Sequence, residues 1–242
     1  MSDQYAFDAT EFEVEFNAKP TAAVPVLVAH KLRRPTLAEL VEREKQSAYE
    51  MVEVSPREDE LRVDDEAANC RLWDKLIMGV RGYDGNAEWR PLTDEDKARM
   101  RAGHKSTAIK GLYLGECAIE DDGTGISFAE QTWTVKQSIA GVYEIRHTLR
   151  EPNEAERARF RRTASSTRNV RGSKQTRVAV VGNLNAYVEL FDALWQGCTG
   201  AQVGGQPFEA ARRGEFLASI DPIWKRQVVS TLTAALEAQL QD

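Results

Sequence analysis

The chain has 242 residues, enough for one large domain or two of ordinary size. Hydrophobic residues make up 42% and charged residues 29%, a balance that suits small domains, while 16 Gly and 8 Pro are too few for wholesale disorder. A formal net charge of −6 argues against non-specific nucleic-acid binding as the main activity, and no apolar run is long enough to span a membrane.

Residues 11–16, EFEVEF, alternate charged and apolar side chains, the period of a half-buried strand. A second strand is expected over VPVLVAHKL (24–32), rich in β-branched residues. Pro35 ends it, because the residue before a proline disfavours helix, and Thr36-Leu-Ala-Glu39 then makes a capping box. The helix started there is expected to reach about Tyr49. The connection VEVSPREDELRVDD (52–65) predicts a short hairpin or an ordered loop, with Asp64 or Asp65 capping the next helix. That helix carries Leu72, Trp73, Leu76 and Ile77 as an apolar stripe, its end marked by Gly79 and Gly82.

From about residue 122 the series begins again. WTVKQ (133–137) answers FEVEF, GVYEIRHTL (141–149) is the second strand, and Pro152 precedes a capping box in Asn153-Glu-Ala-Glu156. A helix to about Thr163 and a variable connection (165–181) lead to a stripe of Leu190, Phe191, Leu194 and Trp195, ending at Gly197 and Gly200. The Gly-rich GCTGAQVGGQP (197–207) lacks a phosphate-binding lysine and reads as a flexible connection. Asp221-Pro222 starts a last helix by the N-cap and Pro-at-N1 rule, with Trp224, Val228, Leu232, Leu236 and Leu240 on one face.

The anchor of this parallel is His-x-Leu-Arg-x-Pro, written as His30, Leu32, Arg33, Pro35 with Thr36, and again as His147, Leu149, Arg150, Pro152 with Asn153. AANCRLWDKLIMGVRG (67–82) also faces NAYVELFDALWQGCTG (185–200), and HKSTAIKGLY (104–113) faces WKRQVVSTLT (224–233). Four matches in one order, at nearly constant offset, point to a tandem duplication of a unit of roughly 120 residues. The expected fold is α+β: two tandem repeats, each a β-strand pair followed by three or four helices. The repeats are placed at 1–121 and 122–242, with EDDGTG (120–125) as the junction. The first is acidic, with 17 Lys+Arg against 25 Asp+Glu, and the second holds 15 against 13.

Candidate chemistry is sparse. His30 and His147 have no Cys, Asp or second His at ligand spacing and are expected to be surface or half-buried strand residues. His104 faces Trp224, and indole cannot replace a ligand or a base. Cys70 faces Val188 and Cys198 faces Val80, as small apolar core residues would. With Cys117 the three are too scattered for a zinc motif or a disulfide framework. Residues 59–66, DELRVDDE, read as a cap and solvated carboxylates, and no Walker, Rossmann or nucleophile-elbow motif occurs. No catalytic residue, metal or cofactor is therefore expected. The opening MSDQYAFDATEFEVEF has no secretory pattern, so a reducing cytoplasm is the expected compartment.

One charged stretch stands out: Arg157, Arg159, Arg161, Arg162, Arg168, Arg171, Lys174 and Arg177, with no acid between them. A solvated face, a docking surface for an acidic protein or another copy's acidic half, and a nucleic-acid contact all fit it. Phe160 alone interleaves, where a stacking platform wants several aromatics. Trp73, Phe191, Trp195 and Trp224 are aromatic anchors for a partner unless the core takes them.

HKLRRPTLAEL resembles the "LRxPT" segment of small tail assembly chaperones of long-tailed bacteriophages, and HTLREPNEAE is a looser form of the same phrase. The likeness covers about a dozen residues per repeat, and members of that family usually hold one unit rather than two. It implies a non-catalytic binding protein of the host cytoplasm, with a tape measure protein as client and tail tube subunits as further partners. A structural or adaptor subunit of a tail is the alternative it leaves open.

Overall fold

The structure, a computed structural model, describes residues 4–18, 26–55, 58–120, 132–169 and 178–238. The chain is mixed α+β and divides into two compact units. An N-terminal unit comprises Ala9–Leu112 with Thr167–Val180, and a C-terminal unit comprises Met1–Asp8, Tyr113–Ser166 and Val181–Asp242. The short strand β1 (Tyr5–Ala6) therefore belongs to the C-terminal unit.

The N-terminal unit opens with β2 (Glu11–Ala18) and β3 (Val26–Arg33), whose alternation puts Val14, Val28, His30 and Leu32 inside. Next come α1 (Leu37–Gln46), the hairpin of β4 (Ala48–Ser55) and β5 (Glu58–Asp64), and α2 (Glu66–Leu76). Then β6 (Ile77–Arg81) pairs antiparallel with β3, giving the sheet order β2-β3-β6. A 3₁₀ turn at Tyr83–Gly85, α3 (Asp94–Arg99) and α4 (Ala102–Gly111) complete the unit. Leu40, Leu72, Trp73, Leu76, Val80 and Ile109 fill its core.

The C-terminal body begins with β7 (Gly115–Glu120), β8 (Thr132–Ile139) and β9 (Tyr143–Arg150), then α5 (Glu154–Thr163). Along the chain β10 (Ser165–Asn169) and β11 (Val178–Gly182) come next, pairing with each other and falling mostly within the N-terminal unit, and then α6 (Leu184–Leu194) and β12 (Trp195–Thr199) of the C-terminal one. Short strands β13 (Ala201–Val203) and β14 (Gln206–Pro207), α7 (Arg213–Ser219) and α8 (Pro222–Ala238) close the chain. The main sheet runs β12-β9-β8-β7, and β1 pairs parallel with β13. Ile145, Leu149, Phe191, Leu194, Trp195, Phe216, Trp224 and Val228 form the core.

The order strand, strand, helix, strand pair, helix, strand, helix, helix runs along the chain from β2 and again from β8, the second series holding β13 and β14 before its last two helices. So does register: Val14 and Val80 flank His30, as Val135 and Cys198 flank His147. Both third strands slip register at their start, where Gly79 meets Lys31 and Gly197 meets Thr148.

Several expectations change. The first helix stops at Gln46, because Ser47 turns to extended backbone (φ −65°, ψ 134°) and Tyr49 joins a strand. The second helices end at Leu76 and Leu194, not at glycines: Ile77 and Trp195 take ψ 128° and begin strands paired to β3 and β9. The N-terminal sheet thus has three strands and the main C-terminal one four, where the sequence suggested a strand pair in each. Gly82 and Gly200 serve the turn beyond it, at φ 82° and 84°, with an added Cβ only 2.3 and 2.1 Å from the Leu27 and Glu144 carbonyl oxygens. Residues 197–207 are no loose loop, since Ala201 and Val203 are buried in strand β13. The expected division after residue 121 differs from the compact units: β7 pairs with β8, and Tyr5 and Phe7 pack into the C-terminal core. The junction at 121–125 lies outside the described residues, as does Leu240.

Candidate docking site

The strand-to-helix corner is built twice with the same bonds. At the first, Pro35 is buried and the Thr36 hydroxyl oxygen accepts from the Glu39 N–H at 3.2 Å, while the Glu39 carboxylate accepts from the Thr36 N–H at 2.9 Å. Arg33 forks onto that carboxylate at 2.6 and 3.0 Å and also donates to the Arg34 carbonyl at 3.0 Å. At the second, Pro152 is buried, Asn153 and Glu156 cap each other at 2.9 and 3.0 Å, and Arg150 forks onto Glu156 at 2.6 and 2.8 Å. The Arg33 guanidinium holds the Glu39 carboxyl down to about 2, and Arg150 lowers Glu156 in the same way. The repeated motif therefore divides its work: His and Leu enter the core, and Arg grips the cap of the next helix.

The two histidines are wholly buried, contrary to the surface or half-buried places expected for them. Each imidazole is satisfied at both nitrogens, which is what makes burial tolerable. Trp73 Nε1 donates to His30 Nδ1 at 2.8 Å, so His30 Nε2 carries the proton and donates to Tyr83 Oη at 2.8 Å. The Tyr83 hydroxyl also hydrogen-bonds with His104 Nδ1 at 3.1 Å. In the C-terminal unit Trp195 Nε1 donates to His147 Nδ1 at 3.2 Å, and His147 Nε2 donates to Gln137 Oε1 at 3.1 Å. Burial lowers both histidines to about 3, with His104 adding to the effect on His30. Burial likewise pushes Cys117 up to about 11 and Cys198 to about 12, so both stay thiols at neutral pH, while Cys70 is half-buried rather than core. Among the described residues no three His, Cys, Asp or Glu side chains gather as a metal site.

Helices α5, α6 and α8 enclose a groove of about 360 Å³. Phe160, Tyr187, Leu190 and Leu236 line it, the Phe160 ring edge-on to Tyr187 at 5.0 Å. Arg157 and Arg161 of α5 and Glu237 of α8 also line it. In the N-terminal unit the same junction of α1, α2 and α4 is polar. Arg43 occupies the place of Phe160, and Asn69 that of Tyr187. Arg43 donates to Asn69 Oδ1 at 2.7 Å and pairs with Asp65 at 3.0 Å, and Asn69 donates to Ser106 Oγ at 3.0 Å. Asp65 sits at the N-cap of α2 without making the expected cap bond; Arg43 and Lys110 take its carboxylate instead. One unit ties its three helices with charge, and the other leaves an apolar slot.

The basic stretch is less uniform than its sequence. Arg157 donates to the Pro152 carbonyl at 3.0 Å and pairs with Glu151, Arg159 pairs with Glu189 at 2.7 Å, and Arg162 donates to the Ala158 carbonyl at 3.2 Å. Arg161 and Arg162 are exposed on α5. Arg168 falls in β10, and Arg171, Lys174 and Arg177 lie outside the described residues. Trp73, Phe191, Trp195 and Trp224 are all core residues, at most 2% exposed, so none is an anchor for a partner. Arg157, Phe160, Arg161, Leu190 and Leu236 of the slot were singled out by sequence for other reasons, and Tyr187 was not. Setting α1 and α2 beside α5 and α6 exposes it, because a polar pair in one unit stands against an aromatic pair in the other.

No protein-family model, curated protein or solved structure matches the chain. Among the described residues no helix is long and apolar enough to cross a membrane.

Proposed function

We propose that this chain is a non-catalytic assembly factor of the phage tail chaperone kind, which holds a helical client in the host cytoplasm. The client is a tape measure protein, with tail tube subunits as further partners. The observation that carries the reading is the slot of α5, α6 and α8: the apolar side chains of its lining, with the exposed Arg161 among them, suit the apolar stripe of an amphipathic helix with acidic flanks. It lies directly after the Arg150–Asn153 corner, the segment that bears the family resemblance.

The two units are, on the same reading, tandem copies of one ancestral unit. Supporting it are the shared element order, the shared register slip and the forked Arg at each corner. A buried lysine on an aspartate adds to these, Lys105 on Asp74 and Lys225 on Asp192, each at 2.6 Å.

Titration calorimetry against the tape measure protein of the same genome tests the function. Saturable binding that weakens with salt, and that weakens further with less salt dependence in an Arg161→Glu, Arg162→Glu variant, is the expected result. Absence of binding to that protein at any salt concentration discards the proposal.

A further inference from the structure

The two edges of the N-terminal sheet are not alike. The edge at β6 is bridged, because Val80 and Arg90 exchange N–H···O bonds at 2.9 Å. At β2 no strand among the described residues pairs with the outer side. Arg34 N–H donates to the Thr10 carbonyl at 2.8 Å, which fixes the alternation along the strand. Phe12, Val14 and Phe16 bond to β3, and the N–H and C=O groups of Glu11, Glu13, Glu15 and Asn17 point away from it.

In the C-terminal unit the same edge carries a further strand. There β8 stands in the place of β2, since Val135 faces His147 as Val14 faces His30. Ala140 N–H donates to the Leu114 carbonyl at 2.9 Å, so Thr134, Lys136 and Ser138 bond outward to β7, which runs antiparallel. Cys117 and Ile119 of β7 pack against the core from that side. Burial follows the added strand. Gln137 and Ile139 are buried beside β7, whereas Phe16 and Ala18, in the same places on β2, are only half-buried. Charge follows it too. Glu120 of β7 reaches across β8 to pair with Arg146 at 3.0 Å, next to Lys136. On β2 the sign is reversed: Glu11, Glu13 and Glu15 share one face of the strand. Lys31 and Arg81 pair with them, and each carboxylate side chain still keeps at least 40% of its surface exposed.

We propose that the outer edge of β2 takes an extended basic segment of a partner protein as a fourth, antiparallel strand, with Lys or Arg at alternate positions and apolar side chains between them. The basic side chains lie beside Glu11, Glu13 and Glu15, and the apolar ones cover Phe12 and Phe16. The outward N–H and C=O groups of β2 supply the ladder. A second copy of this chain is the wrong occupant. Its β2 would set Glu against Glu, and its β7 would bring Glu116 and Glu120 to the same carboxylates. The inference goes beyond the tail-client reading and stands without it, because it uses the other unit and another kind of recognition.

The probe is a peptide of residues 113–120 carrying Glu116→Lys, Ala118→Lys and Glu120→Lys, YLGKCKIK. In the register of β7 on β8 these changes put Lys opposite Asn17, Glu15 and Glu13. It is titrated into the full chain under reducing conditions, and amide hydrogen exchange is followed residue by residue in NMR spectra. Amides of Glu11, Glu13, Glu15 and Asn17 should exchange fast in the free chain and at least tenfold more slowly at saturation. Those of Phe12 and Val14 should be slow throughout, which also checks that each variant is folded. The unaltered peptide YLGECAIE should bind at least tenfold more weakly, and so should the Lys peptide to a Glu13→Gln, Glu15→Gln chain. A Glu13→Pro chain removes an outward N–H, leaves the ladder to β3 intact and should lose binding. No slowing at millimolar peptide overturns the proposal, as does equal slowing by both peptides. Changes at Thr134 and Lys136 in place of β2 would mean that the peptide has displaced β7, and they overturn it too.

Discussion

At the scale of single residues, His30 and His147 are the most constrained side chains. An indole N–H donates to each Nδ1, so adding a proton there sets two donors against one another in a dry site. That is the chemical content of their lowering to about 3 by burial. The consequence for stability has a definite sign. An unfolded chain takes up protons at these histidines near 6.5 and the folded chain does not, so stability is fully present above 6.5 and is lost as pH falls toward 3. Between pH 6.5 and 5, above most carboxylate titration, each histidine should cost its unit about 2 kcal/mol. Denaturant melts at pH 7 and 5 measure this. A His147→Asn variant should lose most of the slope in the C-terminal transition and keep it in the N-terminal one. Equal slopes in variant and parent would remove His147 as the cause. Long-range nitrogen spectra at pH 5 should also show both rings neutral, with the proton on Nε2.

At the scale of elements, the three-helix junctions say most about function. The alternation in EFEVEF, the two capping boxes and the Asp-Pro start of the last helix were legible in sequence because each depends on neighbours within four residues. The third strand of each sheet was not. Ile77 and Trp195 continue a helical stripe in sequence, and only pairing with β3 and β9 turns them into strand. The burial of His30 was hidden for a similar reason, since its indole donor lies 43 residues away in sequence. The slot itself was legible only by comparing the two units. Replacing Phe160 with Arg, Tyr187 with Asn and Asn183 with Asp transplants the polar tie of Arg43, Asn69 and Asp65 into the C-terminal unit. The variant should melt within a few degrees of the parent and bind the tape measure protein at least tenfold more weakly. Full binding by a folded variant would move the client elsewhere on the molecule.

At the scale of the whole molecule, chain order and compact unit disagree. Residues 4–8 lie in the C-terminal unit although about a hundred residues of the N-terminal unit separate them from the rest of it. Their seat is no surface contact: Phe7 is fully buried, and β1 completes a parallel pairing whose partner residues lie near position 201. No local pattern in QYAFDATE announces a partner so remote, and loop closure over that distance adds little once the two bodies are folded. The stability of the C-terminal unit should therefore depend on residues at the far end of the sequence. Phe7→Ala removes a buried ring and should cost about 3–5 kcal/mol. That loss belongs to the C-terminal transition alone, because the ring touches Tyr5, His147 and Phe216 and all of these belong to that unit. Hydrogen exchange resolves the two: amides of β13 and α7 should exchange faster in the variant, and those of β3 and α2 at the parent's rate. A fragment of residues 113–242 carries the test further. It should be less stable than the same unit in the full chain and should regain stability when a peptide of residues 1–10 is added. A fragment indifferent to that peptide, or a Phe7→Ala chain whose N-terminal unit melts first, would mean that the segment is not part of the C-terminal core.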